Sequence, residues 1–459
     1  MSAPRPGAPA GGAPDVSLLP DGRLESRLAD LKPLYSEGEA VAESNRCLYC
    51  QDAPCIAACP TGIDIPTFIR KIGTGNVKGS ARVILTANLL GYSCARVCPV
   101  EVLCAGACVY NAWHRTPIAI GRLQRYATET VLLHGQAGSL LPKAPANGRK
   151  VACVGSGPAS LACAGYLALE GCSVTVYEKR PVAGGLNVTG VAPYKMHAEA
   201  GTAEVEFIRS LGVTIRTGVE VGKDVAPAKL LAEHDAVFLG CGLGADSALD
   251  IAGSEGPGVT GAVAWIERMK LEPRFSLDGV RHAVVIGGGN TAIDAARELA
   301  RLGVREVAML YRRTESDMSG YRHELHQARG EGVRLVERAV PEAFVREGGA
   351  LRAVRLSDGR EYPCELAVLA IGQGSMGALA KAFPGVTTDA KGRVQADERT
   401  GRTANPKLWV GGDARVPDEV GCGELVVTAV QDGKRAARSI TRVLGLAERP
   451  EAAMRAGAE

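Results

Sequence analysis

The chain is poor in aromatic residues, which make up 4% of its 459 positions. That excludes the stacked aromatic platforms on which single-stranded nucleic acids are held. Its formal net charge is only +3, too little to argue for nucleic acid or an acidic membrane surface as partner. It lacks any uncharged apolar run of the roughly 18 residues that cross a membrane. The opening stretch, MSAPRPGAPAGGAPDVSLLPDG, has neither the charged head nor the apolar core of a secretory leader. No Ser-His-Asp pattern and no acid–base dyad stands out. Beyond residue 108, Cys153, Cys163, Cys172, Cys241, Cys364 and Cys422 stand alone. The dithiol of a disulfide reductase is therefore missing, and Cys153, Cys163 and Cys172, set among apolar neighbours, read as core fillers.

What is present is concentrated. Eight of the 14 cysteines fall between residues 47 and 108. One group is Cys47, Cys50, Cys55 and Cys59, followed by Pro60; the other is Cys94, Cys98, Cys104 and Cys108. Soft thiolates on a loop that wraps a cluster, ending in Cys-Pro, suit iron–sulfur cubes. A disulfide framework belongs to small secreted domains, and structural zinc prefers separated CxxC pairs, of which there is one here. Iron–sulfur chemistry and free thiols both need a reducing compartment, so a cytoplasmic location is expected. In two-cluster ferredoxins the last Cys of a run ligates the other cube. That logic puts Cys47, Cys50, Cys55 and Cys108 on one cube and Cys59, Cys98 and Cys104 on the second. On spacing alone Cys94 completes the second.

The length suits about three domains. Ser36, Asp64 and Asn76 are candidate N-caps for helices that deliver and separate the two cysteine groups. A linker over 135–150 leads into KVACVGSGPASLACAGYLALEGCSVTVYEKR, which reads as strand, glycine turn, helix, strand. Gly155 permits the tight turn, and Gly157 lets the backbone approach a pyrophosphate. The helix from Pro158 aims its first amides at that phosphate, and Glu178 can accept from ribose hydroxyls. Ser160 stands where the fingerprint has Gly or Ala. A second unit, RHAVVIGGGNTAIDAARELARLGVREVAMLYRR, repeats the pattern at Gly287, Gly289 and Ala292. Its second strand ends in Arg312 and Arg313 rather than an acid, which favours a 2′-phosphate and hence NADP, with NAD left open. Near the C-terminus a strand, Gly411-Gly412-Asp413 and a helix from about Glu424 can cradle a flavin's ribityl and pyrophosphate.

These motifs together carry a resemblance. RCLYCQDAPCIAACP, CARVCPVEVLCAGAC, PIAIGRLQRYATE, GSGPASLACAGYLALEGC, GGGNTAID and GGDA resemble the electron-input half of dihydropyrimidine dehydrogenase. The bacterial form has a separate small subunit of this kind, and the small subunit of glutamate synthase is a broader relative. The resemblance implies an α/β flavoprotein with two dinucleotide-binding domains and an N-terminal α-helical domain for two [4Fe-4S] clusters. The expected divisions are a disordered tail over 1–25, the iron–sulfur domain over 26–146, the FAD domain over 147–261 and 372–459, and the NAD(P)H domain over 262–371.

It also implies ligands. Gln124 would take the fourth place on the second cube, beside Cys59, Cys98 and Cys104, leaving Cys94 free. FAD contacts are implied at Gly155, Ser156, Gly157, Pro158, Ala159, Glu178, Leu186, Lys195, Gly412, Asp413, Glu424, Leu425 and Val426. Nicotinamide-nucleotide contacts are implied at Gly288, Gly289, Asn290, Thr291, Arg312, Arg313, Ala370, Ile371 and Gly372. Two departures bear on these: Ala192 stands before Pro193 where relatives tend to have Ile, and VPDEVGCGE lengthens the loop after Asp413. The expected function is oxidation of NADP(H) or NAD(H) through FAD and two [4Fe-4S] clusters to feed an FMN-barrel partner that reduces uracil or thymine. No such barrel, which needs about 250 residues, fits beside these domains. The alternative is the small subunit of glutamate synthase. Other classes are a self-contained reductase with purely structural clusters and a non-catalytic binding module.

Overall fold

The computed structural model describes residues 19–133, 137–417, 424–447 and Arg449; Cys422 and most of the VPDEVGCGE loop lie outside them. Residues 19–25, assigned to the tail by sequence, are packed. A 3-10 turn spans Leu24–Arg27, and Leu24 and Leu28 sink into the core of the second nucleotide domain. The apolar residues of this segment thus find a buried face to cover. Asp30, just beyond, pairs with both Arg96 (3.1 Å) and Arg125 (2.9 Å).

The helical domain follows. Helix α1 (Glu37–Ser44) starts in a capping box between Ser36 and Glu39. A single turn, α2 (Pro54–Ala57), carries Cys55. Asp64 caps α3 (Ile65–Gly73) through the Thr67 amide, and Asn76 caps α4 (Val77–Ala87) through the Gly79 amide. Short side chains with an acceptor oxygen satisfy the orphan amides of a first helical turn, so these starts follow from local chemistry. Helices α5 (Gly91–Val97) and α6 (Ile120–Leu133) complete the unit. Phe68, Ile69, Ile72, Ile84 and Leu123, all fully buried, form its core.

Strand β1 (Lys150–Val154), helix α7 (Pro158–Leu169) and β2 (Ser173–Tyr177) open the first nucleotide domain. It continues through α8 (Leu186–Thr189), α9 (Ala198–Ser210), β3 (Thr214–Arg216), α10 (Pro227–Glu233) and β4 (Ala236–Leu239). The second sheet begins before residue 262, with β5 (Val259–Gly261). It then takes α11 (Ala262–Leu271), β6 (His282–Ile286), α12 (Asn290–Arg301), β7 (Glu306–Leu310), α13 (Arg322–Gly330) and β8 (Arg334–Val336). A meander of β9 (Pro341–Glu347), β10 (Ala350–Leu356) and β11 (Glu361–Pro363) precedes β12 (Leu366–Leu369). After α14 (Gly377–Lys381), the chain returns to the first sheet with β13 (Leu408–Val410) and ends in α15 (Val426–Val443).

The sheets run β13-β4-β1-β2-β3 and β5-β12-β6-β7-β8, both wholly parallel among the described residues, with an antiparallel β11-β10-β9 sheet beside the second. Their strands, buried on both faces, explain the unbroken apolar runs VACV and AVVI. Helix α15 crosses α7 closely, and Gly433 makes this possible: a Cβ there would lie 2.1 Å from the Ala159 carbonyl oxygen. Among the described residues no helix is long and apolar enough to cross a membrane.

Candidate redox site

The eight clustered cysteines gather around two cavities. Cys47, Cys50, Cys55 and Cys108 line the first, with Ile65 and Ile69 of α3 as its floor. Cys59, Cys94, Cys98, Cys104 and Gln124 line the second, together with Asn88 and Val427. Tertiary structure therefore sorts the thiols across the two sequence groups, with Cys59 and Cys108 changing places. Among the described residues no three His, Cys, Asp or Glu side chains converge tightly enough for one metal ion. The thiols surround volumes rather than points, which suits a cube better than a single zinc.

Three features of the second cavity fit a cluster. Gln124 is 7% exposed and donates from Nε2 to the Gly91 carbonyl at 2.6 Å, so Oε1 is the amide atom left to serve as a ligand. Cys94, 3% exposed, lines the same cavity from α5. Asn88 is fully buried; its Oδ1 accepts from the Leu90 amide at 3.0 Å, and its Nδ2 has no partner among the described residues. A buried donor without an acceptor costs about 1–3 kcal/mol, and the inorganic sulfides or thiolates of a cluster would supply one.

A third cavity, of about 550 Å³, lies at the ends of β1, β2 and β4. All the residues expected at FAD line it: Gly155 to Ala159, Glu178, Leu186, Lys195, Gly412, Asp413, Glu424, Leu425 and Val426. Gly155 takes φ +85°, and a Cβ there would lie 2.8 Å from the Gly240 carbonyl oxygen, so only glycine makes this turn. No side chain caps α7, whose first amides face the cavity as a phosphate site. Ser160, the departure from the fingerprint, is buried against the Val154 carbonyl at 3.4 Å. Its hydroxyl fits because Gly240 stands opposite, where a Cβ would lie 2.2 Å from Ser160 Oγ. Glu178, expected to accept from ribose hydroxyls, accepts from the Ser156 amide (2.9 Å), the Ser156 hydroxyl (2.6 Å) and the Arg180 amide (2.8 Å), so it braces the glycine turn. Burial, with Glu424 and Asp432 nearby, pushes Asp413 up to about 6.

Lys195 lines this cavity but is also tied across the domain boundary, to Asp294 of α12 and Glu324 of α13, each at 2.8 Å. Nothing in the local pattern of either helix marks those two acids, and the sequence reading missed them. It missed Asn88 too, which looks like an ordinary helix end.

A larger groove holds Gly288, Gly289, Asn290, Thr291, Arg312, Arg313, Ala370, Ile371 and Gly372. No side chain caps α12, and Arg312 and Arg313 are exposed just past β7. The groove and the third cavity share eleven lining residues, among them Asn290, Thr291, Gln373 and Asp413, so ligands bound in the two would meet there. Cys98 plays the same part on the other side: it lines both the third cavity and the second thiol cavity.

Residues 149–433 match the pyridine nucleotide-disulphide oxidoreductase family. The chain belongs to that family. Residues 24–136 match dihydropyrimidine dehydrogenase domain II, 4Fe-4S cluster. The chain is similar to the NAD-dependent dihydropyrimidine dehydrogenase subunit PreT of Escherichia coli K12, 34% identical over 423 residues, covering 92% of this chain and 98% of that one. It is also similar to the glutamate synthase [NADPH] small chain of Escherichia coli K12, 32% identical over 442 residues, covering 88% and 92%. Thioredoxin reductase of T. acidophilum shares the fold, with a TM-score of 0.52 at 22% identity, over 64% of this chain and 98% of that one. This member of the family is an NAD(P)H-dependent iron–sulfur flavoprotein oxidoreductase, with FAD and [4Fe-4S] clusters as cofactors.

Proposed function

We propose that the chain is the electron-input subunit of a two-part enzyme whose other part holds FMN in a barrel and reduces uracil or thymine to the dihydropyrimidine. The observation that carries the electron route is Cys98, shared between the flavin cavity and the second thiol cavity. FAD supplies the chemistry that turns a hydride pair into single electrons. The chain's own residues do the positioning. The α12 turn from Gly288 to Thr291 holds the nicotinamide nucleotide, with Arg312 and Arg313 on a 2′-phosphate and Ala370 to Gly372 closing the groove. The α7 turn, Glu178, Leu186, Lys195, Gly412, Asp413, and Glu424 and Leu425 with Val426 at the start of α15, hold the flavin. Cys59, Cys98, Cys104 and Gln124 hold the second cluster, and Cys47, Cys50, Cys55 and Cys108 the first. Leu48 and Trp113, 46% and 56% exposed, lie on the segments that line the first cavity, a suitable face for a partner.

The similarity to the glutamate synthase small chain over most of both proteins favours a second reading, in which the partner makes glutamate. Native purification with the bound partner, followed by anaerobic assay with uracil, thymine, and 2-oxoglutarate plus glutamine, separates the two. Turnover with a pyrimidine supports the first reading. Turnover only with 2-oxoglutarate and glutamine replaces it with the second. Full turnover without any partner overturns both. For the nucleotide, Arg312→Ala with Arg313→Ala should cut kcat/KM for NADPH about tenfold or more and leave NADH within about twofold; equal losses would sink the 2′-phosphate assignment.

A further inference from the structure

The second thiol cavity has a polar lining that its ligands do not account for. Asn88 is fully buried, with Oδ1 fixed by the Leu90 amide and Nδ2 unpartnered among the described residues. Directly behind it, Lys434 of α15 donates from Nζ to the Ala87 carbonyl at 2.9 Å and to the Thr61 carbonyl at 3.1 Å. Lys434 is 3% exposed, although a buried ammonium is costly. Thr61 in turn places its hydroxyl 3.4 Å from Cys59 Sγ. The same helix lines the cavity with Val427 and borders the flavin cavity with Leu425 and Val426. The first thiol cavity differs: its one polar lining side chain besides the thiols, Tyr110, spends its hydroxyl on the Arg46 carbonyl at 2.7 Å, and Arg70, the cation that acts on Cys47, is exposed to water.

We infer that Asn88 and Lys434 raise the reduction potential of the second cluster relative to the first, Asn88 as a hydrogen-bond donor to the cluster's sulfur and Lys434 as a buried positive charge behind it. This rests on the second-cluster ligation proposed above. The physical reason is charge. Reduction brings in one electron from the flavin side, takes up no proton, and so adds one negative charge to the cavity. Donors to sulfur and nearby cations stabilise the more negative state, and they act strongly where water is excluded. Both are positioning residues: neither is a ligand. The effect would make the cluster nearest the flavin a ready acceptor for the first electron.

The test is an anaerobic redox titration of the holoprotein, with each cluster followed by its electron paramagnetic resonance signal. Asn88→Asp keeps the acceptor for the Leu90 amide and, once ionised, replaces the donor with a negative charge. Lys434→Gln removes the charge and keeps an amide donor, Lys434→Met removes both, and Lys434→Arg retains the charge. At fixed potential the reduced-to-oxidised ratio of the second cluster should fall about tenfold in Asn88→Asp and in Lys434→Gln, a shift of about 59 mV for one electron. Lys434→Arg should stay within about twofold of the parent, and the first cluster should not move. Thr61→Val, which deletes only the hydroxyl, should give a smaller fall of about threefold. Unchanged ratios in Asn88→Asp and Lys434→Gln, with full iron content, would overturn the inference. So would loss confined to Lys434→Met, which would make Lys434 a strut between domains. A parent protein with about four irons and one cluster signal would instead remove the second-cluster ligation.

Discussion

The two thiol cavities are built from one short stretch of chain, yet they sit in different surroundings. The first opens beside exposed Leu48, on a helical domain with its own core. The second is closed in by the flavin domain. Val427 of α15 forms part of its wall, and Glu204 of α9 accepts from the Tyr92 and Ser93 amides and the Ser93 hydroxyl at the start of α5. Buried Asn88, Cys94 and Gln124 line the second and not the first, so water screens charges less near the second. The contrast suits an outlet at the surface and an inlet beside the flavin, and it can be tested from either end.

The largest effect should come from the ligands. Cys59→Ala should lower the iron content from about eight to about four per chain, and FAD should still be reduced by NAD(P)H while the first cluster stays oxidised. Cys47→Ala should cost the same iron but leave the second cluster reducible, and rapid-freeze resonance spectra distinguish the two. Next comes the choice between Cys94, which spacing favours, and Gln124, which the resemblance implies; both line the second cavity. Cys94→Ala should retain both clusters, whereas Gln124→Ala should lose or alter the second; the reverse pattern would reinstate Cys94 as the ligand.

A smaller effect tests the hold of the flavin domain on α5. Burial pushes Glu204 up from its ordinary value to about 7, against the pull of the Ser93 hydrogen bonds. A raised folded value favours the protonated carboxyl in the native state. The stability it contributes is full below about pH 4.5 and lost as pH rises through about 7. Glu204→Gln should therefore flatten a fall on the order of 2 kcal/mol between about pH 5 and pH 7.5, read as Tm. A wild-type slope that survives the substitution would assign the dependence elsewhere. Smallest of all, Trp113→Ala should leave the chain's own stability within about 0.5 kcal/mol while weakening association with the partner, measured by sedimentation.

Local chemistry makes much of this protein legible in its sequence. The caps at Ser36, Asp64 and Asn76 and the glycine turns at Gly155 and Gly287 depend on neighbours a few positions away, and each starts the element expected of it. The softness of eight clustered thiols depends only on their side chains. Packing of distant segments decided the rest. Residues 19–25 read as the end of a Pro-, Gly- and Ala-rich tail; Leu19 in fact packs with Val182, Val188 and Ala198, and Leu24 with a core that runs from Ala192 to Val368. Lys195 reads as a flavin contact, and only the fold shows Asp294 and Glu324 holding it.

Sequence by itself determined which chemistries the chain can host, since donor type and turn geometry are properties of short stretches. Spacing already paired the thiols as the two cavities have them; tertiary structure decided that Cys98 stands between two cavities and that Lys434 lies behind Asn88. Those are facts of dielectric and distance, and both arise only when surfaces far apart along the chain close over the same buried volume.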